Sequence, residues 1–281
     1  MTDLDPARLV FVGGLHRSGT TPFAKVLGEH PEVSGLVNTG VREDEGQHLQ
    51  PVYPKAKLHG GSGRFAYAPA AHLTESSTLI SPANAQAMLD AWKPYWDLEA
   101  SFLVEKSPPN IIMGRFLQEM YPGSAFIVVV RHPVTVALST KKWRRLVSKN
   151  PRKFETLSGM VDHWLTAHDI LAADLPHLNR ALVIHYERLV SQPDTELSRV
   201  EEFLGLSSPI DRSSFTAEHS SSYAQWWEQL RSPWRPGGWQ RRRIERRQAG
   251  RAWQYGYDVT DLGHHQVVVG DPNGLRRPAG E

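Results

Sequence analysis

A glycine-rich loop near the N-terminus has the residue types and spacing of a phosphate-binding site. Residues 14–21 read G-L-H-R-S-G-T-T, follow an apolar run and precede a helix-like segment. Main-chain amides of such a loop, and of the first turn of the following helix, can hold a phosphate group. Thr20 stands where ATPases and GTPases carry the lysine that reaches the β- and γ-phosphates, whereas Arg17 places a cation inside the loop. The loop therefore predicts a phosphate ligand without ordinary nucleoside-triphosphate chemistry. Its candidate contacts are His16, Arg17, Ser18, Gly19, Thr20 and Thr21.

Other polar residues stand where predicted strands end. Residues 126–130 form an apolar run typical of a buried parallel strand, and Arg131 follows it directly, with Ser139 on the next predicted helix. Lys106 ends another predicted strand, and Tyr186 follows a third. Because ligands of parallel α/β sheets bind outside the carboxyl ends of the strands, we expect these side chains and the phosphate loop at one rim.

The loop and the Arg131 segment resemble the donor-binding motifs of sulfotransferases that use 3′-phosphoadenosine 5′-phosphosulfate (PAPS). Residues 16–21 resemble P-[KR]-S-G-T-T, the loop that binds the 5′-phosphosulfate. The R-H-P sequence at residues 131–133 is similar to the family's R-[ND]-P, with His132 in place of the usual Asn or Asp. Ser139 stands eight positions after Arg131, as the family serine does. The resemblance implies that Arg131 and Ser139 hold the 3′-phosphate of the donor.

Two further segments extend the resemblance over roughly two-thirds of the chain. Residues 186–189, Y-E-R-L, look like the family's Y-E-D-L, and residues 105–108, E-K-S-P, are similar to E-K-[ST]-P in carbohydrate sulfotransferases. Arg17 matches the loop Lys or Arg that contacts the bridging oxygen of the donor. Lys106 ends its strand at the predicted rim, where we expect it to contact the transferred sulfonate. The alternative for Lys106 is an ion pair with Glu105.

The general base is predicted in the acidic segment that follows the first helix. Cytosolic members of the resembling family use a histidine, whereas tyrosyl-protein and several carbohydrate enzymes use a glutamate from this neighbourhood. Glu45 is the favoured candidate, His48 is next and Glu43 follows. His59 is a further candidate, since the glycines around it indicate a mobile lid. The alternative to a catalytic role is that this segment is only a solvated acidic loop.

The C-terminal half of the chain offers further candidates for donor contacts. Cytosolic family members often place a tryptophan directly after the loop, where this chain has Pro22. We expect Tyr186 or Trp239 to pack on the adenine instead. The arginines of residues 241–247 are either a solvated helix face or a group that closes over the donor's phosphates.

The predicted activity is transfer of a sulfuryl group from PAPS to a hydroxyl or an amine of a small-molecule or carbohydrate acceptor, with release of adenosine 3′,5′-bisphosphate. Arginine and lysine can stabilise the transferred charge, so no metal is implied. The thirteen histidines show no spacing typical of metal ligands. A small-molecule or nucleoside kinase on a related P-loop fold is the alternative, and the missing loop lysine counts against it. A non-catalytic nucleotide-sensing module is third.

Strands that alternate with helices predict an α/β fold. We expect a three-layer α/β/α arrangement with a central parallel sheet and a P-loop-like nucleotide-binding topology. Residues 38–75 have no helical or strand period, as is typical of a binding loop, and a tryptophan-rich helix is predicted over residues 82–97. The expected organisation is one sulfotransferase domain over residues 1–262 and a flexible C-terminal tail over residues 263–281.

Composition restricts the partners and the compartment. The 32 basic and 30 acidic residues give a formal net charge of +2, which indicates no nucleic-acid partner. No apolar stretch approaches the length of a membrane span. The acidic N-terminus lacks an apolar signal core, so a cytoplasmic location is expected. The absence of cysteine excludes disulfides and thiol catalysis in this chain.

Overall fold

Five parallel strands form the centre of the fold in a computed structural model, which describes residues 4–147, 156–215, 221–232, 234–235, 237–263 and 275. The strands are β1 (Leu9–Gly13), β2 (Val33–Gly35), β3 (Phe102–Lys106), β4 (Ala125–Val130) and β5 (Ala181–His185). They pair in the order β2-β3-β1-β4-β5, and every described pairing is parallel. This arrangement confirms the predicted α/β fold with a central parallel sheet.

The two central strands are apolar because the sheet is covered on both faces. Every residue of β1 and of β4 is buried. Successive side chains of a strand point to opposite faces, so Phe11 enters one apolar core while Val10 and Val12 enter the other. The sheet therefore separates two cores.

Helices supply the outer layers on both faces. The described helices are α1 (Thr20–Gly28), α2 (Pro82–Trp92), α3 (Gly114–Met120), α4 (Pro133–Val147), α5 (Leu157–Asp174), α6 (Tyr186–Ser191), α7 (Pro193–Leu204), α8 (Ser221–Gln229), α9 (Gly238–Arg247) and α10 (Ala249–Trp253). Buried side chains of α1 and α7 share the core with Val10 and Val12. Those of α2, α3 and α5 share the core with Phe11. The predicted three-layer α/β/α arrangement is confirmed.

Proline explains why the helix predicted over residues 82–97 is shorter in the structure. α2 ends at Trp92, and Lys93–Tyr95 form a 3₁₀ turn that contains Pro94. The proline ring has no backbone N–H to donate to the preceding turn, so an α-helix cannot pass through this position without losing a hydrogen bond.

The connection between β2 and α2, residues 36–81, passes over the carboxyl edge of the sheet and is called here the crossing segment. It consists of turns and short 3₁₀ helices, which confirms the prediction that residues 38–75 are irregular. Asn38 and Asp44 have positive φ angles of 56° and 48°, a left-handed region that Asn and Asp enter at lower cost than most residues. The Asp44 carboxylate accepts hydrogen bonds from the backbone N–H and the hydroxyl of Thr39, and these bonds fix the turn.

The tail predicted over residues 263–281 lies mostly outside the described residues. Leu275 is described, and it is buried against the same core as Phe11. The division of the chain at residue 262 therefore stays a prediction. In the part of the chain that the structure describes, no helix combines the length and apolar character that crossing a membrane requires.

Helix α9 carries the arginine cluster, and Arg241 is a buried structural member of it. Arg241 donates a hydrogen bond to the backbone carbonyl of Trp227 at 2.5 Å and pairs with Glu228 at 3.2 Å and with Glu245 at 2.7 Å. Its guanidinium also lies 4.9 Å from the centre of the Trp227 ring. The other arginines of the cluster are exposed. The interpretation as a wholly solvated face is therefore corrected at Arg241, which anchors α9 to α8.

Replacing Arg241 with alanine should lower the free energy of unfolding by about 2–3 kcal/mol, because the hydrogen bonds of a buried charged group are lost and the Trp227 carbonyl is left without its donor. The matched control is Arg242→Ala, an exposed position on the same helix, which should change stability by less than about 0.5 kcal/mol. Urea denaturation of both variants measures the difference. Equal stabilities would show that the Arg241 contacts contribute nothing.

Candidate functional site

A cleft of about 1130 Å³ opens at the carboxyl edge of the sheet. Parallel strands bring their carboxyl ends to this edge, so the segments that follow β1, β4 and β5 meet there. The predicted site residues that line the cleft are His16, Arg17, Gly19, Thr20, Thr21, Glu43, Glu45, His48, Arg131, Ser139 and Tyr186. The topology thus gathers candidates that are far apart in sequence.

The phosphate loop turns sharply between β1 and α1 and depends on its two outer glycines. Gly14 and Gly19 have φ angles of 150° and 100°, and Arg17, although not a glycine, has a φ of 74°. A Cβ at Gly14 would lie 2.5 Å from the carbonyl oxygen of Val129. A Cβ at Gly19 would lie 2.3 Å from a ring carbon of Tyr186. The Tyr186 ring therefore packs directly against the loop, where any larger residue would collide with it.

Two features of the loop suit a phosphate or sulfate group. Gly19 is the N-cap of α1, and it has no side chain to pair with the amides of the first turn. The Ser18 hydroxyl is buried and has no hydrogen-bond partner within the described residues. Buried polar groups are almost always paired, and the positive end of a helix dipole favours an anion. An anion at this position would satisfy both features.

Arg17, Arg131 and Ser139 form a second cluster of donors at the cleft. Arg17 Nε donates to Ser139 Oγ at 3.1 Å, and Arg131 Nη1 donates to the carbonyl oxygen of Arg17 at 3.3 Å. The Tyr223 hydroxyl also donates to Ser139 Oγ, at 3.1 Å. The Arg131 guanidinium lies 4.3 Å from the centre of the Tyr186 ring. Two guanidinium groups beside a hydroxyl can hold an anion through charge-assisted hydrogen bonds, with an aromatic ring alongside.

Glu45 is buried in the wall of the cleft, where several donors hold its carboxylate. Gln47 Nε2 donates to Oε2 at 2.6 Å, His48 Nε2 lies 3.5 Å from Oε2, and Lys106 Nζ lies 3.4 Å from Oε1. Burial raises the pKa of the Glu45 carboxyl, but the contacts with His48 and Lys106 outweigh burial and hold the pKa at about 2. The carboxylate is therefore ionised across the neutral pH range.

Lys106 is buried at the end of β3 and links the phosphate loop to Glu45. Its Nζ donates to Thr21 Oγ1 at 3.2 Å, to the carbonyl oxygen of Glu43 at 2.9 Å and to Glu45 Oε1 at 3.4 Å. The alternative of an ion pair between Lys106 and Glu105 is wrong, because neighbouring side chains of one strand point to opposite faces. The partner of Lys106 is Glu45.

Glu105 points away from Lys106 and supports the crossing segment, a role that motif reasoning missed. Its Oε1 accepts from Ser107 Oγ at 2.6 Å and its Oε2 accepts from Asn110 Nδ2 at 2.7 Å. Ser107 Oγ in turn accepts from the backbone N–H of Gln47 at 2.9 Å. Burial raises the pKa of the Glu105 carboxyl to about 7, although both hydrogen bonds act in the opposite direction. The position of Gln47, and of the neighbouring Glu45, thus depends on a buried carboxyl group.

An arginine and a tryptophan that the motifs did not indicate meet at the cleft. The Arg42 guanidinium lies 4.2 Å from the centre of the Trp143 ring, which joins the crossing segment to α4. Trp143 stands four positions after Ser139, so the two side chains share one face of the helix. This spacing from a predicted phosphate contact was the sequence signal that could have indicated Trp143. Further cations line the same cleft: Lys55, Lys57 and Lys142.

Trp239, His59 and the arginines of residues 241–247 are not among the described residues that line the cleft. Trp239 stands near the start of α9 and is 54% exposed, so the predicted packing of Trp239 on an adenine is corrected. Tyr186 and Tyr223 instead place rings beside Arg131 and Ser139. The arginines of α9 are likewise absent from the described lining, so their closing over the donor's phosphates stays a prediction.

The histidines of α5 serve packing. His163 Nε2 accepts a hydrogen bond from the backbone N–H of Ala66 at 3.1 Å, and His168 Nδ1 bonds to the carbonyl of Trp164 at 2.7 Å. Among the residues that the structure describes, no group of three His, Asp or Glu side chains is placed to hold a metal ion. His264 and His265 lie outside the described residues.

Comparison with known proteins points to one family. The model of the sulfotransferase family matches residues 9–209. The protein-tyrosine sulfotransferase 2 of Gallus gallus is 25% identical over 71% of this chain and 51% of its own length. The nodulation protein NoeE of Sinorhizobium fredii is 29% identical over 72% of this chain and 51% of its own length. The solved structure of sulfotransferase STF9 from Mycobacterium avium matches with a TM-score of 0.49 at 16% identity, over 81% of this chain and 69% of that one. The chain spans about half the length of the curated relatives it matches.

Relative to the wild type, Glu105→Gln should gain stability as the pH rises from about 5 to about 8. A carboxyl group whose pKa is raised by folding contributes less stability as the pH climbs from its ordinary value of 4.5 to its folded value of about 7. Glutamine cannot ionise, so the difference in free energy of unfolding should move by about 3 kcal/mol in favour of the variant over this range. Urea denaturation at a series of pH values measures it. If the difference in free energy of unfolding between the variant and the wild type stays constant with pH, the folded protein does not raise the pKa of Glu105.

Proposed function

Because the chain belongs to the sulfotransferase family, we propose that it transfers a sulfuryl group from PAPS to a hydroxyl or an amine of a small-molecule or carbohydrate acceptor and releases adenosine 3′,5′-bisphosphate. One observation carries the proposal: the buried Lys106–Glu45 pair lies against a phosphate loop that has a threonine in place of the P-loop lysine. A site for an anionic donor thus adjoins a carboxylate able to take a proton.

The donor supplies a sulfuryl group already activated by a leaving phosphate. The phosphate loop and the first turn of α1 would hold the 5′-phosphosulfate, with the buried Ser18 hydroxyl as one donor. Arg131 and Ser139 would hold the 3′-phosphate, in line with the R-H-P and serine spacing. The ring of Tyr186, beside Arg131 and against the loop, would pack on the adenine.

The side chains around Lys106 supply the remaining needs of sulfuryl transfer. The acceptor oxygen or nitrogen forms a bond to sulfur, the bond from sulfur to the leaving phosphate oxygen breaks, and the acceptor proton passes to Glu45. Lys106 and Arg17 place positive charge beside the transferred oxygens and the leaving group. Any contact that Lys106 makes with those oxygens weakens its hold on Glu45, which raises the pKa of the carboxyl and strengthens it as a base.

Hydroxyl acceptors are supported by the names of related proteins. One relative is named for protein tyrosine, and the human heparan sulfate glucosamine 3-O-sulfotransferase 6 is named for a saccharide oxygen. An alkyl or sugar hydroxyl holds its proton more tightly than a phenol does, so it makes the greater demand on Glu45. Measuring the loss of rate in Glu45→Gln with a phenolic acceptor and with a sugar acceptor therefore narrows the acceptor class.

Donor identity is testable by ligand stabilisation. Adenosine 3′,5′-bisphosphate should raise the melting temperature, and the rise should grow with the logarithm of its concentration above the Kd, because it binds the folded state. Magnesium-ATP and magnesium-GTP should have little effect. Stabilisation by a magnesium nucleoside triphosphate, without stabilisation by the bisphosphate, would replace this proposal with a kinase.

Arg131→Ala should then weaken binding of adenosine 3′,5′-bisphosphate by roughly 2–3 kcal/mol and leave binding of adenosine 5′-phosphate almost unchanged, because one charge-assisted phosphate contact is lost. Isothermal titration with both nucleotides separates the two phosphates. Arg242→Ala, an exposed arginine outside the cleft, is the control and should bind both normally. An equal loss for the two nucleotides would remove Arg131 from the 3′-phosphate site.

Glu45→Gln should lower turnover by roughly 10²–10⁴-fold, the usual range for losing a general base, while donor affinity holds. Because the pKa of Glu45 is about 2 in the free enzyme, the loss in kcat/KM should be the same at every pH above about 4. Steady-state rates over pH, with donor binding measured separately, test this. Glu43→Gln keeps the backbone contact to Lys106 and should stay active, and a collapse of its rate would assign the base to Glu43. A collapse in His48→Ala together with an active Glu45→Gln would assign the base to His48.

A further inference from the structure

A small cavity adjoins the cleft at His16 and Ser62, which line both spaces. Its volume is about 10 Å³, close to the roughly 10–15 Å³ that one water molecule needs. Its polar neighbours are His16, Ser62, Thr140 and His163, and apolar side chains such as Val136 and Met160 complete it. His16 lines the cleft as well, so its ring forms part of the wall between the two spaces.

Two polar atoms at this cavity are buried without a partner among the described residues. They are Nδ1 of His16 and Oγ of Ser62. Such atoms are nearly always hydrogen-bonded in native proteins, to water where no protein group reaches them. His16 as a whole is only half buried, so the exposed part of its ring belongs to the edge that meets the cleft.

We propose that a water molecule in this cavity bridges Ser62 Oγ and His16 Nδ1, and that His16 is the neutral tautomer with its proton on Nε2, which donates a hydrogen bond to an oxygen of the transferred sulfuryl group or the 5′-phosphate. In this tautomer the water donates one hydrogen to Nδ1. The donor contact and the choice of tautomer rest on the proposed function, because a water molecule can equally accept from a protonated Nδ1, whereas the bridging water itself does not.

The charges around His16 favour its neutral form. Burial lowers the pKa of His16 to about 4; Glu45 acts in the opposite direction, and Lys106, Arg42 and His48 reinforce burial. A neutral imidazole with a fixed N–H can stabilise charge on the transferred oxygens without placing another cation beside Lys106. The edge of the His16 ring meets Phe65, with ring centres 5.9 Å apart, and this contact restricts its rotation.

The tautomer is measurable without any assay of activity. In protein labelled with ¹⁵N-histidine, long-range ¹H–¹⁵N spectra distinguish the two neutral tautomers and the imidazolium, and comparison with His16→Gln assigns the resonances. We expect His16 to be protonated on Nε2 at pH 7 and to remain neutral down to pH 5. In Ser62→Ala the bridging water loses one partner, and the Nδ1 resonance of His16 should shift. A Ser62→Ala spectrum identical to the wild type would overturn the bridge, and a proton on Nδ1 or an imidazolium at pH 6 would overturn the tautomer.

The contact with the donor has its own test. Adenosine 3′,5′-bisphosphate should shift the Nε2 proton of His16, and His16→Leu should lose roughly 10²-fold in turnover, as expected for removal of one preorganised donor. His16→Gln, whose amide can place an N–H near the same point, should recover part of the rate. Exposed His177→Gln should leave the rate and the His16 resonances unchanged. Full activity in His16→Leu would end the catalytic role. A bisphosphate that does not bind at all would end the proposed function, and the Ser62→Ala spectrum would still decide the buried water.

Discussion

The buried contact between Lys106 and Glu45 holds together the three elements that make the cleft. Removing two charges from water costs several kcal/mol, and their attraction offsets this cost only when the remaining hydrogen-bonding groups are also satisfied. Here the Thr21 hydroxyl and the Glu43 carbonyl accept from Lys106, and Gln47 donates to Glu45. The pair therefore joins the end of β3, the start of α1 and the crossing segment at one point.

Strand β3 positions this pair from both sides. Lys106 faces the phosphate loop, while Glu105, one residue earlier, holds the crossing segment through Ser107 and the backbone of Gln47. A charged group on a central strand moves less than one on a loop, because the sheet fixes its backbone on both sides. The irregular crossing segment thus gains a defined position from the regular sheet, and the candidate base is placed by contacts rather than by local helical or strand structure.

Sequence patterns predicted those features of the fold and the site that local residue chemistry determines. Apolar runs predicted the buried strands, and strand-end positions brought Arg131 and Tyr186 to the cleft beside the phosphate loop. The partner of Lys106 was not predictable, because it depends on the path of a segment without any period. Trp239 failed as a candidate for a related reason: a solvent-exposed ring and a ligand-binding ring have the same sequence signal, and only the packing of α9 distinguishes them.

The charge on the cleft lining also governs how quickly a ligand arrives. Among the described lining residues are six arginine and lysine side chains, of which Arg42 and Lys142 are exposed, and two carboxylates, Glu43 and Glu45. Low-dielectric walls concentrate the field of such a cleft, so a polyanion would encounter it more often than free diffusion predicts, and added salt would slow association far more than dissociation. The lysines and arginines of the lining would therefore make the association rate of an anionic ligand sensitive to ionic strength. This would hold even where the final contacts of the ligand are too buried for salt to screen.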